Sequence, residues 1–206
     1  MIYEFRTYTL KPTTVPEVLK RFGEGYEHRK KYSALAALWY TEIGPLNQIV
    51  HVWPYQDAGE RARIRAEAQK DPQWPPPIHE FLVKMESEIY VSFPFGPELK
   101  PGKFGPVFEM RSYMVKPGTG LPSTMERWEK QLPKRTAISP LLFVGSTDTG
   151  ALGKYIHIWP YPSLEERGRI RKHAVETGAW PPPGGGDNLL SQENKIMLPA
   201  PFSPIQ

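Results

Sequence analysis

The stretch IVHVWPY at residues 49–55 returns almost letter for letter as YIHIWPY at residues 155–161, 106 positions later. Two copies in one chain pose a choice between a duplicated scaffold and a duplicated site. Extended outward, residues 47–77 align with residues 153–183 without a gap and agree at fourteen of thirty-one positions. The opening IYEFRTYTLKP (residues 2–12) and VFEMRSYMVKP (residues 107–117) agree at five of eleven: Glu4/Glu109, Arg6/Arg111, Tyr8/Tyr113, Lys11/Lys116 and Pro12/Pro117. The chain is therefore a tandem duplication. Between the copies, FPFGPELKPGKFGP (residues 93–106) is rich in proline and glycine and reads as an extended connector. This divides the chain into a first repeat over 1–95, a linker over 96–106 and a second repeat over 107–206.

Within each copy the periodicity switches in the same order. An alternating strand comes first, then a helix whose apolar residues Val15, Val18, Leu19, Phe22 and Tyr26 fall on one face, matched by Leu121, Met125, Trp128 and Leu132. Pro133 is expected to end or kink the second copy of that helix, because it lacks an amide and its ring clashes with the preceding turn. Two strands follow, over 38–43 and 48–53 in the first copy. A second helix is then opened by Asp57 with Glu60, or Ser163 with Glu166, at capping-box spacing. Final strands are expected over 86–93 and 193–198. The order is βαββαβ twice, an α+β class made of two ferredoxin-like units.

Strand alternation separates Glu4, Arg6 and Tyr8 from Tyr3, Phe5 and Thr7, and His51 and Trp53 from Val50 and Val52. The apolar sets suit a helix-covered face, which leaves Glu4, Arg6, Tyr8, His51 and Trp53 on the helix-free face. A second, equivalent sheet can cover that face, so the two repeats are expected to pack sheet to sheet as a pseudo-symmetric barrel within one chain, enclosing the polar set in its lumen.

Composition sets outer limits. The 206 residues are 39% hydrophobic and 23% charged, enough for a folded core and short of any membrane span. With no cysteine there is no disulfide, thiolate nucleophile or thiolate metal site, and a reducing, cytoplasmic address fits. No secretory signal or transit peptide is read at the N-terminus. The formal charge of +4 is spread among acidic residues, so no nucleic-acid partner is expected. Arg61, Arg63 and Arg65, and again Arg167, Arg169 and Arg171, read as a solvated helix face laced with salt bridges.

The strand H-x-W-x-Y running into an acidic-capped, arginine-rich helix and then a tryptophan resembles the NIPSNAP family. It is carried by HVWPYQDAGERARIRAEAQKDPQW and HIWPYPSLEERGRIRKHAVETGAW, and the E-x-R-x-Y opening strands fit as well. The resemblance implies the dimeric α/β-barrel superfamily, which includes cofactor-independent monooxygenases and haem-handling enzymes. It assigns no chemistry of its own. Eukaryotic relatives are associated with mitochondria and with vesicle or mitophagy roles.

The residues on which a site would be built are Glu4, Arg6, Tyr8, His51 and Trp53, with Glu109, Arg111, Tyr113, His157 and Trp159. As a ligand pocket, the arginines would hold an anionic or carbonyl group, His51 or His157 would move a proton as the catalytic residue, and Tyr and Trp would bound an apolar body. As scaffold, the same Glu and Arg would satisfy each other, and both copies would need that network. Tyr55 and Tyr161 read as strand-end aromatics packed on a loop. Trp74 and Trp180, each before three prolines, read as plugs of the barrel end, with a polyproline recognition segment as the other reading. The five histidines lack metal-site spacing, and no phosphate loop or nucleophile elbow occurs, so neither metal nor cofactor is expected.

Three functions stay open. The first is binding of a small, partly apolar molecule in the barrel lumen, without assigned chemistry. The second is a cofactor-independent monooxygenase or isomerase using His51 or His157 as base. The third is a noncatalytic protein-interaction role. A small-molecule ligand and a homo-oligomer are the partners considered.

Overall fold

The computed structural model describes residues 1–206. The first half runs β1 (Ile2–Leu10), α1 (Val15–Arg29), β2 (Ala37–Ile43), β3 (Gln48–Tyr55), α2 (Ala58–Ala68) and β4 (Leu82–Ser92). The second runs β5 (Val107–Val115), α3 (Gly120–Thr136), β6 (Phe143–Thr149), β7 (Lys154–Tyr161), α4 (Leu164–Glu176) and β8 (Leu189–Pro199). Capping follows the sequence signals: the Asp57 carboxylate accepts from the Glu60 amide at 2.8 Å, and the Ser163 hydroxyl accepts from the Glu166 amide at 3.1 Å. α3 does not end at Pro133. It runs on to Thr136 because only one helical hydrogen bond is lost that late, while buried Leu132 and Arg135 anchor the last turn.

Each half is a four-stranded antiparallel sheet with its first and third strands at the centre, in the order β4-β1-β3-β2 and β8-β5-β7-β6. The two sheets also join edge to edge, β2 to β8 and β4 to β6, and so close one eight-stranded barrel. No helix is long and apolar enough to cross a membrane. The linker is tied down at one end of the barrel: Gly102 and Phe104 exchange backbone hydrogen bonds with Pro204 and Gln206, and buried Leu99 and Ile205 belong to the lumen core.

The lumen is filled by the apolar alternates. Tyr3, Phe5, Trp39, Val50 and Val52 of the first half meet Phe108, Met110, Phe143, Ile156 and Ile158 of the second. Phe143 has both Tyr3 and Phe5 at 5.2 Å between ring centroids, and Trp39 reaches Phe108 at 5.5 Å. Pseudo-symmetry is broken to achieve this. Positions 37 and 39 hold Ala and Trp, whereas their counterparts 143 and 145 hold Phe and Gly. A side chain at Gly145 would strike the Val91 carbonyl oxygen at 2.6 Å, so the large ring comes from the neighbouring inward position instead.

This reverses the face assignment made from the sequence. Glu4, Arg6, Tyr8, His51 and Trp53, like Glu109, Arg111, Tyr113, His157 and Trp159, lie on the outer face of the barrel beneath the helices, not in the lumen. Closure leaves no exposed residue on either face of the central strands β1, β3, β5 and β7, so aromatic content alone does not tell inside from outside. The polar set goes where helix side chains can reach it. Trp74 and Trp180 likewise pack on the outer face, against Trp53 and Trp159, and not at the barrel end.

Removing the ring of Phe143 should empty the centre of the lumen and cost about 3–5 kcal/mol, whereas Val83→Ala on the exposed stretch of β4 should change stability by less than about 0.5 kcal/mol. Urea unfolding midpoints of the two variants measure this; equal, small losses would mean that the lumen is not the core.

Candidate functional site

The outer face of each half is organised by one carboxylate. Glu4 is fully buried, and its Oε1 accepts hydrogen bonds from Arg6 at 2.8 Å, Arg61 at 2.6 Å and the Ser87 hydroxyl at 2.7 Å. Arg65 stands 3.5 Å from Oε2. In the second half Glu109 is equally buried and accepts from Arg111 at 2.7 Å, Arg167 at 2.6 Å and Asn194 at 3.1 Å, with Arg171 at 3.5 Å. Arg61 and Arg65, four apart on α2, thus point down at the sheet with one turn between them, and Arg167 and Arg171 do so on α4. The reading of these arginines as a solvated face is corrected for those four.

Burial alone would raise the Glu4 carboxyl, but hydrogen bonds from Arg61 and Ser87 and the charges of Arg65 and Arg6 outweigh it and hold it down to about 2. Glu109 is treated the same way by burial against Arg167, Arg171 and Arg111, and also lies at about 2. Both carboxylates therefore stay charged at any physiological pH.

His51 sits beside this cluster in an apolar wall, T-shaped against Tyr8 at 4.7 Å and Phe22 at 5.0 Å. The Trp53 indole N–H donates to its Nδ1 at 2.7 Å. Because an indole can only donate, Nδ1 carries the lone pair and Nε2 carries the proton. That Nε2 is buried without a partner. Burial first, and then the Arg6 charge, push the imidazole well below its ordinary pKa, so it is neutral. His157 repeats the arrangement, with Trp159 donating at 2.6 Å and Nε2 again unpartnered.

A cavity of about 310 Å³ opens over this wall in the first half. Its sides come from Arg6, Tyr8, His51 and Trp53 of the sheet and from Phe22 and Arg29 of α1, with Trp74 and its prolines as roof. Glu4 lies behind the wall and does not line it. The twin cavity of the second half, over Arg111, Tyr113, His157 and Trp159, holds about 180 Å³. The structure therefore brings each set of candidate residues together, beneath the helices. At the open end of the lumen there is instead a polar recess of about 420 Å³, where Lys154 pairs with Glu88 at 2.6 Å and Lys195 donates to Gln48 at 2.8 Å.

The sequence reading misses Arg29 and Arg135 and takes Tyr55 and Tyr161 only as strand-end aromatics packed on a loop. Arg29 donates to the Tyr55 hydroxyl at 3.3 Å, and Arg135 to the Tyr161 hydroxyl at 3.4 Å. Each guanidinium also lies over an indole, Trp53 at 4.5 Å and Trp159 at 4.2 Å. The signal was present in the repeat offset, since Arg29 and Arg135 are 106 positions apart, as His51 and His157 are.

The sequence profile of one family, described as NIPSNAP, matches residues 3–97 and again residues 108–204. The chain is 29% identical over 218 residues to protein NipSnap homolog 3A of Homo sapiens, covering all of this chain and 86% of that protein. It is 30% identical over 212 residues to protein NipSnap homolog 3B of Mus musculus, across 99% of this chain and 85% of that one. Among solved structures, a Lactobacillus acidophilus protein proposed to be a monooxygenase superposes with a TM-score of 0.66 over 96% of this chain and 92% of its own, at 12% identity, which is a likeness of fold.

The low pKa of Glu4 fixes the sign of an acid effect. A carboxyl at about 2 in the folded state against an ordinary 4.5 contributes stability above pH 4.5 that is lost as pH falls from there toward 2. Glu4→Gln should flatten that part of the stability profile and, by leaving buried guanidinium groups uncompensated, cost about 3–5 kcal/mol at neutral pH. Chemical denaturation between pH 2 and 7 tests both; a parallel, undiminished acid slope in the variant would contradict the assignment.

Proposed function

This chain belongs to the NIPSNAP family in both of its halves, and on that footing we propose that it binds a small, partly apolar molecule in the sheet–helix cavity of its first half. The carrying observation is the difference between twins: one polar frame is kept twice, yet the first cavity holds about 310 Å³ and the second about 180 Å³. The larger value falls in the range of ligand pockets, and its lining of aromatic groups with a few converging polar ones is the usual composition of such pockets. A frame that served stability alone would gain by packing both copies shut.

One substitution accounts for much of the difference. Phe22 in the first half corresponds to Trp128 in the second. The larger ring of Trp128 closes on Trp180 at 4.5 Å, while Phe22 stays 5.5 Å from Trp74, with the distance to the histidine nearly the same in both halves. The second half supports the reading as a built-in example of the closed form.

In this proposal His51 is a donor. Its Nδ1 lone pair is engaged by Trp53 and its ring is neutral, so the polar group it has left is the buried, unpartnered Nε2–H, which a ligand oxygen would reach only by displacing the side chains that cover it. The same arrangement argues against His51 or His157 as general base. An isomerase or cofactor-independent oxygenase built on this cavity would use His51 to polarise an oxygen, not to take a proton. A cytoplasmic setting, which the cysteine-free sequence suits, is part of the proposal. So is self-association, supported by exposed Val83 and Leu190 at equivalent places on β4 and β8.

Phe22→Trp tests the cavity. Trp128 is an example of the larger ring at this position, so the variant should fold, with an overpacking loss of about 1–3 kcal/mol. Native mass spectrometry of the protein with a panel of small apolar molecules should give 1:1 complexes with the wild type and none with the variant. Complexes of equal stoichiometry and stability in both would place the ligand elsewhere and sink the reading.

A further inference from the structure

The charges around the first cavity do not balance. Arg6, Arg29 and Arg65 line it, and no carboxylate does. The acid acting on this region is Glu4, and it is the same carboxylate that influences Arg29, His51 and Tyr55. Glu4 is already engaged by Arg6, Arg61 and Arg65. Four guanidinium groups thus gather around one carboxylate in a wall that is otherwise aromatic.

Arg29 is the one left over. It is 2% exposed and forms no ion pair. Its hydrogen bonds run to the Ser33 carbonyl at 3.5 Å and the Tyr55 hydroxyl at 3.3 Å, both long, whereas a guanidinium carries five N–H donors. Arg135, its counterpart, has what Arg29 lacks, because the Ser139 hydroxyl accepts from it at 2.7 Å. The equivalent Ser33 hydroxyl is buried without a partner. Arg65 is underused as well, with a single contact at 3.5 Å to Glu4.

A buried, underbonded cation beside a chamber walled largely by aromatic rings calls for an anion with an apolar body. The planar fork of Arg29, stacked on Trp53, suits the two coplanar oxygens of a carboxylate. No lysine lines the cavity, and no glycine-rich loop offers the run of amides that a phosphate dianion uses.

We propose that the first-half cavity takes a small carboxylic acid, its carboxylate held between Arg29 and Arg65 and its apolar body laid against Phe22, Trp53 and Trp74. The inference rests on the binding reading above and narrows its ligand to an acid.

The test compares ligands that share a body and differ in head: octanoate, octan-1-ol and octyl phosphate, with 3-phenylpropionate and 3-phenylpropan-1-ol as an aromatic pair, titrated calorimetrically into the full-length protein. The acids should bind and the alcohols should bind at least tenfold more weakly, roughly the worth of one charged hydrogen bond. Arg29→Gln should weaken acid binding by roughly 10- to 100-fold, Arg29→Lys by less, and Arg135→Gln not at all. The wild-type comparison of acid with alcohol does not depend on any variant folding. Alcohol and acid binding alike would overturn the acid assignment and leave the cavity reading standing. Octyl phosphate binding more tightly than octanoate would overturn the carboxylate in favour of a phosphate. If no acid binds, the inference falls; if no compound of either kind binds and Phe22→Trp changes nothing, the cavity reading falls with it.

Discussion

A carboxylate with no exposed surface stands at the centre of each half, and the rest of the outer layer is arranged around its need for partners. Leaving Glu4 or Glu109 unpaired would cost more than most single interactions in the fold can supply. Its neighbours on the sheet cannot satisfy it alone, since Arg6 and Ser87 each bring one donor to the same oxygen. The second helix completes the set by sending two arginines from successive turns to the same residue. That requirement fixes the rotation of α2 over the sheet. The same face carries Ile64 and Ala68, at the i+3 and i+7 positions from Arg61, against the core, and the tryptophan loop that follows roofs whatever space remains.

The duplication is kept and broken in different places. The clamp is kept: both carboxylates, the histidine–indole bonds and the arginines stacked on tryptophan recur with nearly the same distances. The two fillings are broken. In the lumen, Ala37 and Trp39 correspond to Phe143 and Gly145, because a close-packed interior leaves no room for a side chain at position 145, where the Val91 carbonyl lies, and the ring comes from position 143 instead. On the outer face, Phe22 against Trp128 leaves one chamber open and fills the other. The first asymmetry is demanded by packing. The second is not, since either ring fits its own site, and it is the one that touches the candidate ligand space.

Much of this was legible before any coordinates. The repeat, the βαββαβ order, the two N-caps and the grouping of Glu4, Arg6, Tyr8, His51 and Trp53 on one face follow from offsets and alternation. Which face that is did not follow. Period two says only that neighbours point opposite ways, and on β1 and β3 neither direction is exposed, so alternation alone fits Phe5 with Val50 under the helices as well as in the lumen. The arginines of α2 were misread for a related reason. Alternate positions along a helix look scattered, and only Glu4, distant in sequence, selects Arg61 and Arg65 while leaving Arg63 to solvent. Pro133 was overweighted because the anchoring of Arg135 and Leu132 beyond it is tertiary.

The opening choice between a duplicated scaffold and a duplicated site resolves into layers. The residues that repeat most faithfully, HxWxY with its arginine-bearing helix, hold the sheet and helix together and are needed on both sides of the barrel. Arg29 and Arg135 show where scaffold gives way to site. Each stacks on an indole and reaches a tyrosine hydroxyl, which a structural arginine would also do. Only Arg135 has its serine hydroxyl bond, and only Arg135 sits beneath the smaller chamber. Arg29 keeps the same place with fewer partners and more room, and a buried cation is held in that condition most economically when something else, not part of the chain, completes its bonding.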